Sequence, residues 1–229
     1  MIKIDTLWII GIIVYVLAFV IELLCAYLST SKEIKKYSPT NSFPSEIVTG
    51  YDKGYLFKIS NYIFSAVSLL ILVIIIINKE AFGGMFTLSV VIAALIALTH
   101  LSSISLINIS IFYVKQHAII STIFMALTFL ISALTTFYCF YLSYLYSTQS
   151  TGSSFHLSLG IISGVFTLIT LLFMFNPKLK NWAKLEKVGE DTELTYARPK
   201  YFPLAYTEWI MIVLSFVSGL IYIISLINI

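Results

Sequence analysis

Residues 85–112 read MFTLSVVIAALIALTHLSSISLINISIF, residues 113–117 read YVKQH, and residues 118–146 read AIISTIFMALTFLISALTTFYCFYLSYLY. A helix needs about 20 apolar residues to cross a bilayer, and both outer stretches meet that length. The polar step between them centres on Lys115, Gln116 and His117. Two apolar runs joined by so short a step predict a tight antiparallel hairpin of membrane-spanning helices. Working outward, the stretches near 7–29, 56–77, 157–175 and 207–228 satisfy the same length rule, giving six spans. The first run, from Met1 to Leu28, is too long for a secretory signal core and shows no small-residue cleavage site, so it reads as a retained span.

Composition agrees with this reading. Apolar residues make up 59% of the chain and charged residues 11%, with a mean hydropathy of +0.96. Average soluble domains carry about 25% charged residues, and so little charge leaves too few polar side chains to cover a water-soluble globule. The expectation is an all-α, polytopic integral membrane protein, a single bundle of six transmembrane helices forming one domain over residues 1–229. Its partner is then the lipid bilayer. Fourteen basic and eleven acidic residues give a net charge of +3, which is no footprint for nucleic acid. Cys25 and Cys139 both lie in apolar runs, which leaves no disulfide framework or zinc knuckle. No metal site and no cofactor is expected.

Residues 30–55 read as a polar loop with two prolines and two glycines, and residues 176–206 as the longest loop, of mixed charge with three prolines. Residues 78–84 and 147–156 read as short turns. Orientation follows from Lys and Arg in the flanks. One side carries only Lys3 and Lys79, and the other carries the remaining twelve basic residues, from Lys32 to Lys200. That asymmetry predicts both long loops in the cytoplasm and both termini outside.

Helices in lipid associate through small residues and interhelical hydrogen bonds. Gly160 and Gly164 in the fifth span, Ser215 and Gly219 in the sixth, and Ala118, Thr122 and Ala126 in the fourth share the four-residue spacing that places them on one helix face. Together with Ser102, Ser103, Ser105, Asn108 and Ser110 of the third span, they read as packing surfaces of one bundle; lining a cavity is the sharper alternative. The glycine pair could serve the bundle interior or a dimer.

Charge inside a span is expensive, roughly 2.5–3.5 kcal/mol at a helix centre on insertion scales, and so points to function. Glu22 lies about two-thirds along the first span. It would relay protons, bind a cation or hold a polar ligand, unless the span ends near residue 24 and leaves it among headgroups. His100 lies near the middle of the third span, as a proton-relay residue or, more plainly, a hydrogen-bonding partner of a neighbouring helix. Haem needs two histidines at one depth, and His117 and His156 fall at opposite faces by alternation of the spans. The common catalytic signatures are missing, no aspartate pair lies within a span, and no catalytic residue is expected. Asn108-Ile-Ser110 matches the glycosylation pattern but lies within the expected third span, where it should be silent.

Three polar landmarks recur in a distinctive order. Phe43-Pro44-Ser45-Glu46-Ile47-Val48-Thr49-Gly50 follows the first span, with Leu56-Phe57 opening the second. Ile109-Ser110-Ile111-Phe112 leads to His117 and on to Phe124 and Phe129, and Thr207-Glu208-Trp209 opens the sixth span. This layout resembles the damage-regulated autophagy modulator family of six-span membrane proteins, whose members show an I-S-D-T-G-like first loop, a lone histidine opening the fourth span and an S-E-W-like start to the sixth. The sequence departs from that pattern by a two-residue insertion before Thr49-Gly50 and by Tyr51-Asp52-Lys53 where paired prolines are usual. The family is drawn with both termini cytosolic, opposite to the lysine asymmetry.

The resemblance implies a non-enzymatic regulator of membrane trafficking, autophagy or lipid organisation, resident in lysosomal, other endomembrane or plasma membranes of a eukaryote, or in the cell membrane of an archaeon or bacterium. Its candidate residues are His117, Glu208, Trp209, Ser45, Glu46 and Gly50. Read physically, these lie on one side of the membrane, where they form a polar clasp or bind a lipid headgroup. Two other functions fit the residues: a small proton-coupled carrier using Glu22 and His100, and an accessory subunit of a larger membrane complex.

Overall fold

The computed structural model describes residues 4–31, 37–40, 42–110, 113–147, 153–177, 179, 187–188, 195–196 and 203–227. Eight helices run through them: α1 (Ile4–Thr30), α2 (Pro44–Gly50), α3 (Gly54–Ile77), α4 (Lys79–Phe82), α5 (Phe86–Asn108), α6 (Val114–Ser147), α7 (Ser153–Met174) and α8 (Pro203–Ser225). Six are long and apolar enough to cross a membrane, α4 running on into α5 through a 3-10 turn at Gly83–Met85. The chain is an all-α six-helix integral membrane protein. A two-residue antiparallel pairing of Lys187–Val188 with Thr195–Tyr196 interrupts the long loop.

The helices form an arc, each packed on the next, in the order α1, α3, α5, α6 and α7. Helix α8 fills the concave side, packing most on α6, α7 and α1 and less on α5, and it meets α3 where Trp209 lies 6.0 Å from Phe57 and Phe216 lies 6.3 Å from Phe64. Its most apolar stretch is 67% buried, against 22–39% in the other five spans. Small and polar residues let it approach. Tyr15 of α1 lies against Gly219 so closely that a methyl group there would meet its hydroxyl, and Phe19 stacks on Phe216 at 3.9 Å and 7°. Gly160 and Gly164 face α6, where added carbons would lie 2.9 Å from the Phe140 ring and 3.6 Å from Thr136. These glycines serve the α6–α7 contact within the bundle. Thr136 donates to Ser163 at 2.9 Å in the same seam.

Three expectations need correction. The segment 30–55 is not only loop: α2 is a helix with Pro44, Ser45 and Ile47 buried. Pro44 stands in its first turn, where a missing N–H costs nothing, and the Glu46 carboxylate accepts from the Phe43 N–H at 2.8 Å. Second, α5 stops at Asn108 rather than near 112. The Asn108 side chain donates to the Ile104 carbonyl at 2.7 Å, and Ile109 turns extended. The Asn108-Ile-Ser110 pattern therefore starts where the helix ends and is not enclosed in a span. Third, α6 begins at Val114, so His117 is part of its first turn. Helix α1 continues eight residues beyond Glu22, whose side chain is 1% exposed within the bundle.

Candidate functional site

Alternation of the spans brings the ends of α1, α5 and α7 and the starts of α3, α6 and α8 to one face of the bundle, where α2 also lies. There the structure joins α6 to α8 through a buried pair. His117 Nε2 stands 3.0 Å from Glu208 Oε1, and both side chains are 0% exposed. His117 Nδ1 is 3.1 Å from the Ile109 carbonyl oxygen. A carbonyl only accepts, so Nδ1 carries a hydrogen. Nε2 then either donates to a carboxylate or accepts from a carboxylic acid. In both arrangements the pair is electrically neutral, which suits its burial.

The first loop is fastened to this pair. Phe43 sets its ring edge-on to the His117 imidazole, with centroids 5.1 Å apart at 84°. The Trp209 indole N–H donates to the Tyr37 hydroxyl at 2.8 Å and approaches the Ser42 carbonyl at 3.2 Å. That hydroxyl in turn donates toward the Ser42 and Phe43 carbonyls, each at 3.1 Å. Burial pushes the Tyr37 hydroxyl above its ordinary value, the Trp209 donor partly offsets this, and the nearby Glu46, Tyr51 and Glu208 add to the rise. Ser45 is fully buried, with its hydroxyl unpartnered among the described residues. Gly50 ends α2, and a Cβ added there would meet open space. Phe43, just before α2, and Ser45 and Glu46 in its first turn are the buried or bonded residues of this segment, and Gly50 is at its far end.

Beside the clasp lies a lateral cleft of about 280 Å³ lined by Ala118, Ser121, Thr122 and Met125 of α6 with Met174, Leu179 and Leu204. Ala118 and Thr122 line this opening, the cavity-lining alternative of the sequence reading. The buried Ser121 hydroxyl on its wall has no partner among the described residues.

A second polar cluster joins α1, α3 and α5. Glu22 Oε1 accepts from Asn61 Nδ2 at 2.6 Å. The same amide donates to Ser103 Oγ at 3.0 Å, and Ser103 and Ser65 both donate to the His100 carbonyl, at 2.8 and 2.9 Å. The His100 ring meets the Tyr15 hydroxyl at 3.0 Å and lies edge-on to Phe64 at 4.3 Å. Glu22 is thus linked through Asn61 and Ser103 to the His100 backbone carbonyl, while the His100 ring bonds Tyr15 instead. Asn108 is outside this cluster: exposed, it reaches only Tyr62 at 3.3 Å and its own helix. Ser215 is buried and donates to Ile212 within α8. His156 approaches the Ser225 carbonyl at 3.3 Å at the opposite end of the bundle from His117.

Sequence reasoning missed Asn61, Tyr15 and Tyr37. Asn61 carried a usable signal, because an amide inside an apolar run has to find a partner just as a carboxylate does. Comparison with known proteins returns no match: no family model, no curated protein and no solved structure matches the chain.

Proposed function

We propose that the chain is a non-enzymatic membrane protein that organises lipid at the face where its first loop is docked, with regulation of trafficking or autophagy as the cellular consequence. What supports this reading is the convergence of four landmarks far apart in sequence. Phe43–Glu46, His117, Glu208 and Trp209, the residues that carry the family resemblance, meet in one buried clasp. The segment around Tyr37 and Phe43 and helix α2, held at one end of the bundle, present a surface to headgroups. The cleft beside it, apolar along Met125, Met174 and Leu204 and ending in an unpartnered serine hydroxyl, is shaped to take a lipid from the side.

The test is the lipid shell. The protein is extracted with its native membrane into polymer discs, and the bound lipids are compared by mass spectrometry with the bulk membrane. The expected result is several-fold enrichment of one headgroup class, lost when Ser121→Phe fills the cleft. A shell identical to bulk membrane, or unchanged by Ser121→Phe, overturns the reading.

A further inference from the structure

We propose that Glu22 is a proton-binding site inside the bundle, with Asn61 positioning its carboxyl group. This inference is independent of the lipid-organising function and of the clasp. Glu22 lies on α1 about 12 Å from the helix end at Thr30, taking 1.5 Å per residue, and is 1% exposed. Oε1 holds the short bond from Asn61. Oε2 is buried and has no hydrogen-bond partner among the described residues. No described lysine or arginine forms an ion pair with it; the one pair among these residues is His117 with Glu208.

The titratable groups around Glu22 offer no compensating charge. Tyr15, two turns away on the same helix, is turned to His100 of α5. On α3, Lys58 stands over the Tyr62 ring. On α2, Glu46 is engaged at the Phe43 N–H. On α8, Glu208 is paired with His117, and the Tyr222 hydroxyl donates to the Ser89 carbonyl. A proton arriving on Oε2 cancels the charge without displacing the Asn61 bond on Oε1. A metal ion fits the site less well. It needs several oxygen ligands, whereas Asn61 turns its N–H side to the carboxyl and spends its second hydrogen on Ser103. Release of the proton leaves a net charge between α1 and α3, so occupancy is coupled to how tightly those helices pack.

Infrared spectroscopy of the full chain in vesicles, from mildly acidic to mildly alkaline pH, reads the site directly. The expected difference spectrum, wild type minus Glu22→Gln, has a protonated-carboxyl C=O band that shifts in D2O and grows as pH falls; any band from Glu208 cancels in it. Sodium added at constant pH leaves it in place. Absence of the band from that difference spectrum, or its displacement by sodium, overturns the proposal. Should Glu22→Gln fail to fold, Asn61→Ala supplies the test: removing the donor on Oε1 must move the band to higher frequency, and an unmoved band overturns the assignment.

Discussion

The pair His117–Glu208 is a case in which each residue is tolerable only because of the other. Removing one member of a buried pair leaves an uncompensated polar group and costs about 3–5 kcal/mol, whereas replacing both by apolar residues of similar size is often neutral. His117→Ala should therefore destabilise the chain by roughly that amount in a denaturant titration in mild detergent. The double variant His117→Leu with Glu208→Leu should recover most of the loss. A double variant as unstable as the single one would mean that packing, not pairing, dominates there. Tyr37 gives a test in pH. Its neutral hydroxyl is favoured by burial in the folded chain, so its contribution is complete below the ordinary tyrosine value near 10 and drains away as pH rises past it. The thermal stability of the wild type should fall more steeply above about pH 10 than that of Tyr37→Phe. Parallel curves for the two proteins would remove the hydroxyl from the account. At this scale the sequence was legible where charge met an apolar run: Glu22 is conspicuous because an isolated carboxylate there is costly. Asn61, without charge, and Tyr37, one of fifteen tyrosines, gave no comparable signal, and their partners lie 39 and 172 residues away.

Among the elements, the spans were legible to within a few residues because length and hydropathy alone define them. The short helix α2 was not. Seven residues are too few to show a helical period, and its stability comes from contacts with α3, α5 and α8 that no local pattern records. One glycine shows how closely it is seated. At Gly54, the first residue of α3, a methyl group would run into the Ile47 carbonyl and the Val48 Cα, both backbone atoms of α2 that cannot swing aside. Gly54→Ala should thus lift α2 from the bundle and cost about 1–3 kcal/mol, the usual range for overpacking. Protease cleavage in the first loop measures this, and a variant no more susceptible than wild type would show that the two helices separate without penalty. The α6 stripe of Ala118 and Thr122 marks the limit of spacing alone: a four-residue repeat identifies a smooth face but does not say whether a helix or an opening lies against it.

For the molecule as a whole, orientation is the property on which the two sequence arguments part. The lysine asymmetry places α2 and the clasp in the cytoplasm, and the family layout places them on the far side. Single cysteines at Ser42 and at the exposed Glu80, in a chain lacking Cys25 and Cys139, mark the two faces. Protection of Ser42 and labelling of Glu80 by a membrane-impermeant maleimide on intact cells is the outcome the lysines predict. The reverse pattern would support the family layout. The arc of five helices around α8 also bears on how the protein is made. A ribosome releases α1, α3, α5, α6 and α7 into the bilayer before the helix they enclose exists, so the nascent chain passes through a stage with a hollow centre, its His117 ring and Ser89 carbonyl still waiting for Glu208 and Tyr222 of α8. Chaperones of the insertion machinery that shelter polar groups in lipid have their natural client in that half-built intermediate, and quality control has there its clearest moment to reject the chain.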